Sequence, residues 1–131
     1  MKTKLALGTA ALGLLLAAVP VMAHHSFAAE FDSNKPIKMT GTVTKIEWMN
    51  PHAYFYIDVK DASGKVTNWG LEMGSPNGLM RQGWTRNSMK IGDTVTVEGS
   101  AAKDGSTIGN ARTVMIGGKR LFAGSSQNTN P

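Results

Sequence analysis

The chain contains no cysteine, so neither a disulfide framework nor a thiolate site is open to it. It also lacks a nucleophile elbow, a phosphate-cradling glycine loop and a metalloprotease helix, which removes the catalytic classes that a sequence announces most clearly. Acids are few, nine against 14 lysines and arginines. Glu47, Asp58 and Glu72 stand singly on strand-like segments and read as solvent-facing, not as a shared acid pair. No apolar run reaches the roughly 20 residues that carry a helix across a bilayer. Neither an internal repeat nor a second domain is visible. Together these absences point to a non-catalytic, single-domain protein without stable membrane insertion once its leader is removed.

What is present begins with the three parts of a secretory signal. Lys2 and Lys4 start it, Leu5 to Val19 is uncharged and largely apolar, and Pro20-Val21-Met22-Ala23 ends it with small residues where a signal peptidase reads. Residues 1–23 are therefore expected to be a cleaved leader and the mature protein to be periplasmic. Cleavage after Ala23 leaves 108 residues and lowers the formal charge from +5 to +3. A cut after Ala28 would instead discard both His24 and His25. A domain of this size without disulfides has to rely on its core or on a bound ligand.

Residues 24–36 read as an N-terminal arm that docks Phe27 and Phe31 on the domain before Ser33-Asn34-Lys35-Pro36 breaks regular structure. The first strand, Ile37 to Trp48, changes parity: Met39, Gly41 and Val43 share one face, Ile46 and Trp48 the other. A bulge near Thr44-Lys45 brings all of them inward. After Met49-Asn50-Pro51, the segment Ala53 to Val59 alternates, with Phe55 and Ile57 inward and Tyr54, Tyr56 and Asp58 outward. Asp61 to Lys65 is a hairpin connection to Val66–Met73. Ser75 caps and Pro76 opens one short helix with Leu79, Met80 and Trp84 on its apolar face, and a further turn is expected over Thr85–Lys90. Strands at Thr94–Gly99 and Asn110–Ile116 follow, then a short pairing through Leu121-Phe122 and a disordered tail over residues 123–131.

Three strands, a short helix and two strands match an all-β, five-stranded Greek-key barrel of the oligonucleotide/oligosaccharide-binding (OB) type over residues 37–122. An immunoglobulin-like sandwich needs about seven strands and has no place for the Ser75 helix. With His24-His25-Ser26-Phe27, Asn50-Pro51-His52-Ala53, Gly74-Ser75-Pro76-Asn77 and Gly83-Trp84-Thr85-Arg86 in view, the chain resembles a family of small exported bacterial proteins of unknown function. The resemblance implies a periplasmic barrel and brings no activity or catalytic residues with it.

Two surfaces are candidates for function. Cleavage after Ala23 gives His24 a free amine beside its imidazole, a chelating pair to which His25 and His52 add nitrogen ligands. Nitrogen donors in a planar set favour Cu(II), and Met49 adds a soft ligand for Cu(I). Zinc fits less well, because a closed zinc site takes four protein ligands. The six methionines after residue 23 otherwise read as fillers of core gaps. The second surface is an outer face bearing Tyr54 and Tyr56 with Lys45 and Lys60, suited to a protein partner or an envelope saccharide. Export and a charge of only +3 argue against nucleic acid.

Overall fold

The computed structural model describes residues 27–124. The leader, His24, His25 and the tail from residue 125 onward lie outside the described residues. Within them, after a helical turn over residues 27–30, the chain is all-β with one short helix: β1 (Phe31–Glu47), β2 (Tyr54–Lys60), β3 (Val66–Glu72), α1 (Pro76–Arg81), β4 (Thr94–Ala102), β5 (Ile108–Ile116) and β6 (Lys119–Phe122). Among the described residues no helix is long and apolar enough to cross a membrane.

The strands form one sheet in the order β3-β2-β1-β4-β5-β6 with antiparallel neighbours, and β3 also pairs in parallel with β5 through Gly70, Leu71 and Glu72. Six strands replace the expected five, because Lys119–Phe122 pairs fully with Thr113–Ile116 as a strand of its own. β1 is long enough to serve two partners. Its first half pairs with β4 and its second half with β2, with the register slip between Val43 and Lys45 that the change of parity demands. Glycine makes part of this possible: a Cβ on Gly41 would lie 2.5 Å from the Asp58 carbonyl oxygen, inside contact distance.

Two boundaries differ from the sequence expectation. The second half of the arm is strand, since Phe31 and Asp32 already pair with Ala102 and Ala101, and a register shift before Pro36 absorbs Ser33-Asn34-Lys35. At the other end the domain continues beyond Phe122. Ala123 is buried, its N–H donates to the Arg112 carbonyl, and its own carbonyl accepts from Gly74 N–H.

The core follows the alternation of the strands. Phe55 and Ile57 from β2, Leu71 from β3, Val95 and Val97 from β4, and Val114 from β5 are buried with Val43. One end is closed by α1 and the segment after it. Ser75 Oγ accepts from Gly78 N–H, Pro76 begins the helix, and Leu79 is fully buried. Trp84 is buried as well, its indole N–H donating to the Phe122 carbonyl at 2.8 Å. Met80 instead points to solvent, because α1 is too short to turn more than one stripe inward. Residues 85–90 form a turn closed by Thr85 N–H to Ser88 Oγ. Of the methionines, Met73 and Met89 fill the core, whereas Met49, Met80 and Met115 are half-exposed.

Candidate functional site

The β2–β3 hairpin builds the site. In its connection Asp61 Oδ1 accepts from the Ser63 hydroxyl and from the backbone N–H groups of Ser63 and Lys65, which also hold its carboxyl below its ordinary range. That turn sets Lys60 opposite Val66, and six residues further on it sets Tyr54 opposite Glu72. Backbone hydrogen bonds from Ala53 to Gly74 and from Met73 to Ala53 continue the pairing. His52, two residues before Tyr54, is thereby delivered to the same outer face.

On that face three side chains meet. His52 Nδ1 lies 3.0 Å from Glu72 Oε1, and the Tyr54 hydroxyl donates to Glu72 Oε2 at 3.1 Å. Glu72 is 8% exposed, which corrects its reading as a solvent-facing acid. Alternation alone cannot distinguish an outer face in water from one lying beneath another segment. Glu72 stands in a row that runs Ser100, Asn110, Glu72, Tyr54, Glu47 across five strands, and Asn110 beside it is also buried. The helical turn over residues 27–30 is close enough for the Glu30 charge to act on both Glu72 and Tyr54.

The electrostatics follow from this burial. Desolvation raises the Glu72 carboxyl above its ordinary range; His52 opposes the shift, Glu30 adds to it, and the Tyr54 hydrogen bond opposes it again. Desolvation and the adjacent Glu72 charge push the Tyr54 hydroxyl up to about 12, so it remains a donor at neutral pH. Engaging Nδ1 of His52 fixes the ring and leaves Nε2 as the nitrogen not turned to Glu72. A carboxylate holding one imidazole nitrogen is the arrangement that orients a histidine for a ligand on the other.

The remaining sequence candidates divide. Lys45 Nζ sits 5.2 Å from the Tyr56 ring centroid and 2.6 Å from Glu47 Oε1, and that acid raises its pKa. Lys60 lies at the hairpin end of β2, about 13 Å along the strand from Tyr56, so the cation-and-aromatic face is split. Met49 is half-exposed between the end of β1 and the cis Asn50–Pro51 bond. Among the described residues no three His, Asp or Glu side chains converge as a metal-holding group. Phe27 and Phe31 pack on each other with centroids 5.6 Å apart, Phe31 being buried. Reasoning from sequence missed Glu72 and Glu30. Counting back from the hairpin turn would have placed Glu72 opposite Tyr54, while nothing local marks Glu30.

A family model described as a family of unknown function, DUF6152, matches residues 11–111. No curated protein matches the chain.

Proposed function

The chain belongs to DUF6152, a family of unknown function, so its role is read from its own geometry: we propose an exported, non-catalytic periplasmic protein that binds Cu(II) between its mature N-terminus and His52. The scaffold in this reading is an OB-like barrel. Its support is the β3–β5 ladder, which links the strands β3-β2-β1-β4-β5 into a ring with β6 laid on the outer edge of β5.

The observation that carries the proposal is His52 held at Nδ1 by the buried Glu72 carboxylate, with its side chain 39% exposed and Nε2 left for a ligand. Glu30, whose charge acts on Glu72, belongs to the helical turn that includes Phe27. From Phe27 to His24 is three residues, about 10 Å of extended chain. The arm thus supports the delivery of the His24 amine and imidazole, and the His25 imidazole, to the His52 side of the sheet. Met49 is the soft ligand on offer should the ion be reduced.

The rival reading is an adaptor that grips a protein or an envelope saccharide through Tyr54, Tyr56, Lys45 and Lys60. It has less support, since the Tyr54 hydroxyl is engaged by Glu72 and Lys45 already covers Tyr56.

Intact mass of the exported protein, followed by Cu(II) titration with calorimetry and electron paramagnetic resonance, tests the proposal. A terminus at His24, nitrogen hyperfine structure, and affinity lowered tenfold or more, about 1.4 kcal/mol, in both His24→Ala and His52→Ala are expected. A terminus at Ser26 or beyond, or equal affinities in the three proteins, overturns it. Loss of a captured saccharide or protein on Tyr56→Ala would favour the adaptor.

A further inference from the structure

We infer a second binding site, independent of His52, on the outer face of β1, β4, β5 and β6: a groove that takes a hydroxylated monocarboxylate of the uronic-acid class. Registers place its residues in two adjoining rows. Thr40, Thr96, Met115 and Arg120 are successive partners across the four strands, and Lys38, Glu98 and Thr113 form the row beside them. Together they line a hollow of about 350 Å³, within the roughly 300–1,000 Å³ typical of small-molecule sites.

The chemistry of the lining selects the ligand. Glu98 sits at the centre, with Arg120 Nη2 at 2.6 Å from Oε2, Lys38 Nζ at 3.5 Å from Oε1 and the Thr113 hydroxyl donating to Oε2. Arg120 and, after it, Lys38 hold the Glu98 carboxyl below its ordinary range, so it stays an acceptor for ligand hydroxyls. Two cations against one acid leave a net charge of +1, which one carboxylate neutralises. Arg120 gives one N–H to Glu98 and has others with which to meet a carboxylate.

Beside this charge lie the hydroxyls of Thr40 and Thr96, 2.8 Å apart and able to donate or accept. Half-exposed Met115 supplies an apolar patch for the C–H face of a sugar ring. A neutral sugar would leave the spare cation unmatched, and an apolar acid would make no use of the hydrogen-bonding capacity that Thr40, Thr96 and Glu98 keep beyond the bonds they already make. A polyhydroxylated ring with one carboxylate satisfies both halves. The source can be a free sugar acid or one residue of an acidic polysaccharide.

Nitrogen-15 amide shifts of the exported protein, recorded during titration with galacturonate, glucose and a short oligogalacturonide, test the site. Saturable galacturonate binding with a dissociation constant of about 1 mM or tighter is expected, with shifts centred on Thr96, Thr113 and Met115. Arg120→Ala should weaken it about tenfold and Thr96→Val about threefold. Arg120→Lys, which keeps the charge and loses the fork, should fall between wild type and Arg120→Ala, and His52→Ala should bind as wild type. Tighter binding of the oligomer identifies a polymer as the source, and equal binding a free acid. Glucose binding as well as galacturonate, shifts centred elsewhere, or an Arg120→Ala protein of unchanged affinity would overturn the inference.

Discussion

Tyr54 and His52 each meet one oxygen of the Glu72 carboxyl, and the loss of either has a calculable direction. Tyr54→Phe keeps the ring and removes the donor, leaving Oε2 of a buried carboxylate without it. Stability should fall by about 1–3 kcal/mol, read as a lower urea midpoint at pH 7. A second residue makes a prediction through pH. Glu98 has its pKa depressed chiefly by Arg120, so the folded protein releases that proton more readily than the unfolded chain. The contribution is fully present above the unfolded glutamate pKa of about 4.3 and is lost as pH falls through the lower folded value. In Arg120→Ala the acid limb of stability against pH should be shallower; superimposable limbs in the two proteins would refute the linkage. At this scale the outward placing of Tyr54 and Tyr56 was legible in the sequence, because the alternation of β2 marks it. Glu72 was not, because alternation gives the face of a strand residue and not its burial, and the Glu30 charge that acts on it comes from 42 positions earlier.

Elements were legible where local chemistry decides them. Ser75-Pro76 starts α1 as expected, and Ser75→Ala should cost about 1 kcal/mol, measurable by denaturant titration. The slip at Val43–Lys45 could be read from parity, since a strand that buries residues of both parities has to absorb one residue. Less legible was the start of β1, where Ser33-Asn34-Lys35-Pro36 looks like a break and is taken up as an irregularity against β4. The strongest backbone constraint lies in β4. A Cβ on Gly99 would sit 1.8 Å from the Asn110 carbonyl oxygen, so β4 and β5 would have to separate at their own bulge. Gly99→Ala should lower stability by about 3 kcal/mol or more or prevent folding, whereas Gly78→Ala, whose added carbon would meet the Ser75 hydroxyl at 3.2 Å, should still fold. Comparing the thermal midpoints of the two variants checks the contrast.

At the scale of the molecule, one sheet carries one core and the last described segment of the chain is held at several points. β6 covers the outer edge of β5, Phe122 receives the Trp84 indole, and Ala123 bridges Arg112 and Gly74. A protein truncated after Ile116 loses all three contacts and uncovers Val114 and Trp84. It should lose cooperative thermal unfolding by circular dichroism; a sharp transition within a few degrees of the full chain would show that β6 is dispensable. The all-β class and the helix between the third and fourth strands were legible from turn residues and alternation. The parallel β3–β5 ladder was not, because its partners Gly70 and Ile108 are 38 residues apart and no local pattern records which edge a strand will meet. That separation has a consequence in time. As the chain emerges, the β1–β2–β3 meander can zip up from neighbouring segments, but the outer edge of β3 stays open until Asn110 arrives, and Gly74 waits for Ala123. Loop-closure entropy has to be overcome before those distant contacts repay it. The schedule of folding is therefore set at the far end of the sequence, and a chain halted short of it would present an unfinished strand edge to whatever patrols its compartment.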